Sequence, residues 1–214
     1  MSNSYDPDNR FMSGFTKVVD TLVLSILWLV CSLPVFTLGA ASAAVYYAFH
    51  KTIRQDRSYP VKEFFKAFRS NFKQATAAWM ILFAFIATSV FACFCLLKLW
   101  QSLPAAGVLL AMGTVMILFA VVWCIYIFPY LSRFENTLLN AAKNSAILAI
   151  SNLLWSVLLL VMLAAAVLLT LWKPAMLAPA AALFIWGQNL ILERIFRRLM
   201  NHEELLSERE ADGV

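Results

Sequence analysis

Residues 51–74 read KTIRQDRSYPVKEFFKAFRSNFKQ. The stretch holds seven of the seventeen Lys and Arg residues and is the longest polar break in the chain. Residues 75–97 follow directly as ATAAWMILFAFIATSVFACFCLL, without a charge. About 20 consecutive apolar residues are what a helix needs to cross a bilayer. A block of Lys and Arg beside such a run stays on the cytoplasmic side, by the positive-inside bias. The two stretches together predict a membrane protein and begin to set its threading.

Composition extends the reading to the whole chain. Of 214 residues, 62% are hydrophobic and 14% charged, with a mean hydropathy of +0.77. A soluble domain carries about 25% charged residues. That much apolar surface exceeds what one soluble core hides, so further spans are expected. The net charge of +5 does not imply nucleic acid. The cations flank apolar runs instead of forming a basic domain of their own. Cys31, Cys93, Cys95 and Cys124 all lie in apolar runs, and the spacing of Cys93 and Cys95 is not that of a metal site. His50 and His202 stand far apart. No metal or other cofactor is expected. With no Gly-rich phosphate loop, HExxH or GxSxG, no catalytic residue is assigned and no enzyme is expected.

In order, the chain divides into a polar arm at 1–17, one transmembrane domain at 18–200 and a polar tail at 201–214. The first apolar run, 18–33, ends at Pro34, which a helix interior does not accommodate. It has some features of a signal peptide, with Ala41-Ser42-Ala43 beyond it, but Asp20 interrupts it and the reading is a span. The next run, to about residue 50, is rich in Ala and Ser and short of a full span. It reads as a short or tilted leg packed in the bundle, or as a re-entrant half. Later spans are expected at 75–97, 105–128, 146–171 and 175–192.

Pro34, Pro104 and Pro174 are spaced by seventy residues, and Ser32-Leu33-Pro34 recurs as Ser102-Leu103-Pro104. Each turn separates two apolar runs, and each pair precedes a basic segment. The fold class is therefore all-α: a polytopic transmembrane bundle of three tandem helical hairpins with cytoplasmic amphipathic segments. Six passes are preferred, with five possible. Six passes put both termini in the cytoplasm, with fifteen Lys and Arg inside and only Lys98 and Lys173 outside. Five passes keep the C-terminus inside and move the N-terminus out.

Within the opening stretch, residues 60–74 have a helical period. Phe64, Phe65, Phe68 and Phe72 fall on one arc, and Lys62, Lys66, Arg69 and Lys73 on another. Such a helix is expected to lie in the headgroup layer, rings toward the lipid, or to dock a partner by its Phe face. Pro34, Thr37 and Gly39 predict a hairpin turn; with Asn152 and Asn189 they are also candidates for a solute site. Glu193 falls near an inner end, where the adjacent Arg194 can satisfy it.

The run from Leu33-Pro34-Val35-Phe36-Thr37-Leu38-Gly39-Ala40, through Tyr46-Tyr47, to the block FFKAFRSNFKQ at 64–74 resembles the YesL-like family of bacterial integral membrane proteins. The resemblance reaches from about Phe11 to Met200. It implies a multi-pass protein of the bacterial plasma membrane with an accessory role in carbohydrate uptake. The implied partners are the lipid bilayer and a component of a carbohydrate ABC transporter. Residues 135–150 resemble, in the pair Ala141-Ala142, the loop by which ABC permeases engage their ATPase; Ser145 stands near the place of its Gly, and no Leu-Pro follows. The rival expectation is a small solute transporter or channel in its own right.

Overall fold

The computed structural model describes residues 7–54, 59–99, 105–134 and 137–198. Its α-helices are α1 (Pro7–Ser32), α2 (Leu38–Phe49), α3 (Pro60–Lys98), α4 (Ala106–Arg133), α5 (Leu138–Ser151), α6 (Leu153–Trp172) and α7 (Leu177–Phe196). Short 3-10 turns cover Val35–Thr37 and Pro174–Met176, and a π turn covers His50–Arg54. There is no strand among the described residues. In hydrocarbon every backbone N–H and C=O must be paired within the segment, and helices meet that requirement.

Five segments, built on α1, α3, α4, α6 and α7, are long and apolar enough to cross a bilayer. Large apolar side chains stand exposed along them, among them Ile81, Phe91, Leu154 and Leu168. So much uncovered apolar surface fits a lipid surround. The chain is a multi-pass membrane protein.

α1 begins at Pro7, so residues 7–17, expected as a polar arm, belong to the first helix. Pro34 ends it. Beyond Pro34, the Thr37 hydroxyl lies 2.5 Å from the Cys31 carbonyl and 2.6 Å from that of Pro34. Thr37 thus covers the Cys31 carbonyl, one of those that the end of α1 leaves without an intrahelical donor. Pro174 opens the equivalent 3-10 turn between α6 and α7; Pro104 lies outside the described residues.

α2 has twelve residues, nine of them buried. At 1.5 Å per residue it is about 18 Å long, short of the hydrocarbon thickness. By length, then, five legs qualify as spans and α2 does not. Helix direction adds a second fact. Trp28 of α1 donates to Ser42 of α2. Lys51, just past α2, pairs with Glu63, and Val35, just before α2, accepts from Trp79. α2 therefore runs against both α1 and α3, which share one direction. α2 is the return leg between them, and the up-down order of six legs is kept with one leg short.

Residues 60–98 form a single 39-residue helix, about 58 Å long. The basic amphipathic segment is the first half of α3, continuous with the span. This corrects the expectation of a separate helix lying flat in the headgroup layer. α2 packs along that half, from Glu63 to Trp79. Gly39 makes the approach possible: a Cβ there would lie 2.5 Å from the Ala75 carbonyl oxygen and 2.7 Å from Trp79 Cβ. Its role is close packing and not a special backbone angle.

The expected span at 146–171 is broken. α5 stops at Ser151 and α6 starts at Leu153. Asn152 between them has φ −120° and ψ 47°, and its side-chain amide donates to the Leu148 carbonyl at 3.1 Å. A short amide that bonds the backbone competes with helix continuation.

Candidate functional site around Glu193

On α7, Asn189 and Glu193 are four residues apart and share a face; so do Tyr46 and His50 on α2 and its π turn. Where these faces meet, the Glu193 carboxylate is fully buried. One oxygen lies 3.3 Å from His50 Nδ1 and accepts from the Tyr46 hydroxyl at 3.4 Å. The other accepts from Arg133 Nη2 at 3.3 Å and lies 3.7 Å from Arg197 Nε. Phe196, also fully buried, packs edge-on against Tyr46, Tyr130 and Phe134 and walls the group off. A buried carboxylate is tolerated only when paired, because its desolvation costs several kcal/mol. Here the partners come from three parts of the fold: the α2 end, the α4 end and α7 itself. The arrangement braces these helices against one another.

Asn189, 1% exposed, donates to the Tyr46 carbonyl at 3.4 Å, and its Oδ1 has no hydrogen-bond partner among the described residues. A second ion pair stands close by. Lys51 Nζ lies 2.9 Å from Glu63 Oε2, tying the π turn to the first turn of α3. That hydrogen bond holds the Lys51 ammonium above the ordinary lysine range, while burial pulls the other way.

The Phe stripe of α3 divides. Phe64 is fully buried, and Phe68 and Phe72 are partly buried against the core, whereas Phe65 is 49% exposed. Most of the face expected to meet lipid or a partner meets α2 and its neighbours instead. Lys62, Lys66, Arg69 and Lys73 are exposed, as their arc predicts. Lys66 also lines a cleft of about 750 Å³ between α2, α3, α4 and α5.

The candidate solute residues do not converge. Pro34, Thr37 and Gly39 form the α1–α2 turn, Asn152 forms the α5–α6 break, and Asn189 alone joins the Glu193 cluster. Glu193 is met by Arg133 and Arg197; Arg194 instead lies over the Trp155 ring. His50, Tyr46 and Arg133 escaped the sequence reading. Their only signal was a pair of four-residue spacings, and nothing in the chain order links 50, 133 and 193.

A second cavity, about 340 Å³, lies between α1, α2, α3, α4, α6 and α7. Its few polar side chains are already engaged. Ser42 accepts from Trp28, Gln188 donates to the Ile125 carbonyl, and Thr170 donates to the Ala166 carbonyl. What remains is apolar.

Helix direction gathers the basic segments. The α2 and α3 ends joined by Lys51–Glu63, the C-terminus of α4 and the C-terminus of α7 all lie at one end of the bundle. Residues 21–92 match a family model. Its description is "Protein of unknown function, DUF624". The match covers about a third of the chain, from α1 through most of α3. It contains the Pro34 turn and the α3 stripes, and leaves Arg133, Asn152, Asn189 and Glu193 outside. No curated protein and no solved structure matches the chain.

Proposed function

We propose that the protein is a non-enzymatic accessory subunit of a solute-uptake system in the bacterial plasma membrane, with its basic end in the cytoplasm. The observation that carries this reading is the outer edge of the first half of α3. Lys62, Arg69 and Lys73 stand exposed there beside Val61 and Phe65, which are 42% and 49% exposed. This cationic edge with an apolar margin is left over after the bundle has taken Phe64, Phe68 and Phe72. An exposed charged rim around an aromatic anchor suits docking to another protein's acidic surface. The carbohydrate character of the system follows from the YesL-like resemblance, which is finer than the family match. The positive-inside bias supports the orientation, because the basic segments share one end.

The rival reading, a transporter in its own right, needs a polar path. The 340 Å³ cavity offers apolar walls and polar groups already bonded to the protein, which suits an alkyl chain better than a hydroxylated solute. A photo-crosslinking side chain at position 65 or 69, activated in native membranes, tests the accessory reading. Capture of a permease subunit of an uptake system is expected. Crosslinks only to lipid or to a second copy of the chain would overturn it.

A further inference from the structure

The apolar cavity bordered by Trp28, Trp79 and Gln188 has a shape that none of the preceding roles uses. Its volume, about 340 Å³, falls within the range of small-ligand sites. The lining runs lengthwise: Leu177 to Gln188 on α7, Leu163 to Leu171 on α6 and Val121 to Pro129 on α4. At 1.5 Å per residue the α7 stretch is about 16 Å long. One leaflet of a bilayer holds about 15 Å of hydrocarbon, half of the whole. Burial is graded along this slot. Val45, Phe128 and Ile185, toward the Glu193 end, are buried, whereas Leu171 and Leu177, beside the Pro174 turn, are exposed. The slot is closed at the first end and open at the second.

Physical exclusions narrow what can fill it. A buried water needs two to four polar partners. Here the Trp28 and Trp79 indoles donate to Ser42 and to the Val35 carbonyl, and Gln188 donates to the Ile125 carbonyl across the closed end. An empty slot would cost its walls their dispersion contacts. A helix of another chain, about 10–12 Å across, does not fit 340 Å³ over that length. The surrounding medium does fit, because it consists of alkyl chains. The open end shows how such a chain would enter. Trp172 and Lys173 follow Leu171 directly, both exposed, with the ammonium 5.2 Å from the ring centroid. Trp and Lys at the end of a span sit at headgroup depth. A chain that enters at this depth keeps its headgroup outside.

We propose that the slot binds one acyl chain of a phospholipid, drawn from the leaflet on the side of the Pro34 and Pro174 turns. The chain passes Leu171 and Leu177 and ends against Phe128 and Gln188. The proposal does not rest on the accessory reading, which concerns the outer edge of α3 at the other end of the bundle.

The test uses the full chain in phosphatidylcholine nanodiscs doped with a phosphatidylcholine that carries a diazirine on one acyl chain. The diazirine sits near the carbonyl in one probe and near the methyl end in the other. Irradiation, digestion and mass spectrometry locate the adducts. The methyl-end probe is expected to label Val45, Phe128 or Ile185, which are buried from bulk lipid, and the carbonyl-end probe to label Leu171 or Leu177 without reaching them. Ala166→Phe and Ala181→Phe fill the slot from α6 and from α7. Each variant that keeps the wild-type thermal midpoint is expected to lower labelling of the buried residues several-fold, with labelling of the lipid-exposed Phe91 unchanged. The depth pattern in the wild type stands as a test even where a variant fails to fold. Absence of label at the buried residues, equal labelling of them by both probes, or undiminished labelling in a folded variant would overturn the proposal. Displacement of that label by excess oleic acid, with Phe91 labelling retained, would overturn the phospholipid as occupant in favour of a free fatty acid.

Discussion

Glu193 concentrates the energetics of the bundle into one side chain. Its carboxylate answers Arg133, Arg197, His50 and Tyr46 at once. Removing it by Glu193→Ala takes away the buried carboxylate that Arg133 and Arg197 both face, a loss of about 3–5 kcal/mol. A clear fall in the thermal midpoint of the detergent-solubilised protein is expected. The double variant Glu193→Gln with Arg133→Met should recover part of it, because no charge is then stranded; a further loss would show that the ion pair is not what stabilises this end. Lys51 makes a complementary prediction in pH. Its folded pKa is raised above the ordinary 10.5 by the hydrogen bond to Glu63. The pair's contribution is therefore complete below that value and is lost as pH rises through the folded pKa. Midpoints measured through the alkaline range should fall in the wild type, while Lys51→Met should lack that component. At this scale the sequence was only half legible. The sequence singled out Asn189 and Glu193 but offered the adjacent Arg194 as the carboxylate's partner, and the adjacent residue points elsewhere on the helix, over the Trp155 ring.

α3 is where the largest change of reading occurs at the scale of elements. Angular periodicity distinguished a Phe arc from a Lys/Arg arc. It could not say what the Phe arc faces, because lipid and a neighbouring helix are equally apolar. α2 decides this by packing along residues 63–79, with Gly39 against Ala75 and Trp79. Two substitutions one residue apart should therefore diverge. Phe64→Ala opens a cavity in the buried cluster and should cost about 3–5 kcal/mol. Phe65→Ala, half exposed, should change stability by less than about 0.5 kcal/mol. Denaturant titration of the two variants in detergent checks the contrast, and equal losses would contradict the packing of α2 on α3. Asn152 teaches the same lesson at the α5–α6 break. Hydropathy runs through it smoothly, yet the amide's bond to Leu148 ends one helix before the next begins.

For the whole molecule, length and direction of the helices answer different questions. Five segments have the length of a span, while α2 is a short return leg. Since α1 and α3 run in the same direction, α4 and α7 run together in the other. Arg133 and Glu193 meet at the ends of α4 and α7, as Ile125 and Gln188 meet further back. The start of α1 and the end of α7 are therefore expected on the same side of the membrane. A membrane-impermeant maleimide should reach Gly14→Cys and Arg198→Cys from one face only, and Leu99→Cys from the other. Labelling of the Gly14 and Arg198 positions from opposite faces would contradict the return leg.

The sequence alone determined the environment and the element types. Uncharged runs of span length leave no alternative to helices in lipid, and prolines spaced by seventy residues mark two turns that the structure describes. It also determined which residues are cationic and how they group, because Lys and Arg count in the same way whatever they touch. Tertiary structure decided the uses of these parts. α2 is too short for its length to predict a crossing, and only its contacts on both sides reveal its direction. Glu193, His50 and Arg133 are far apart in the chain, and a buried charge finds its partners through packing, which periodicity within one helix does not encode.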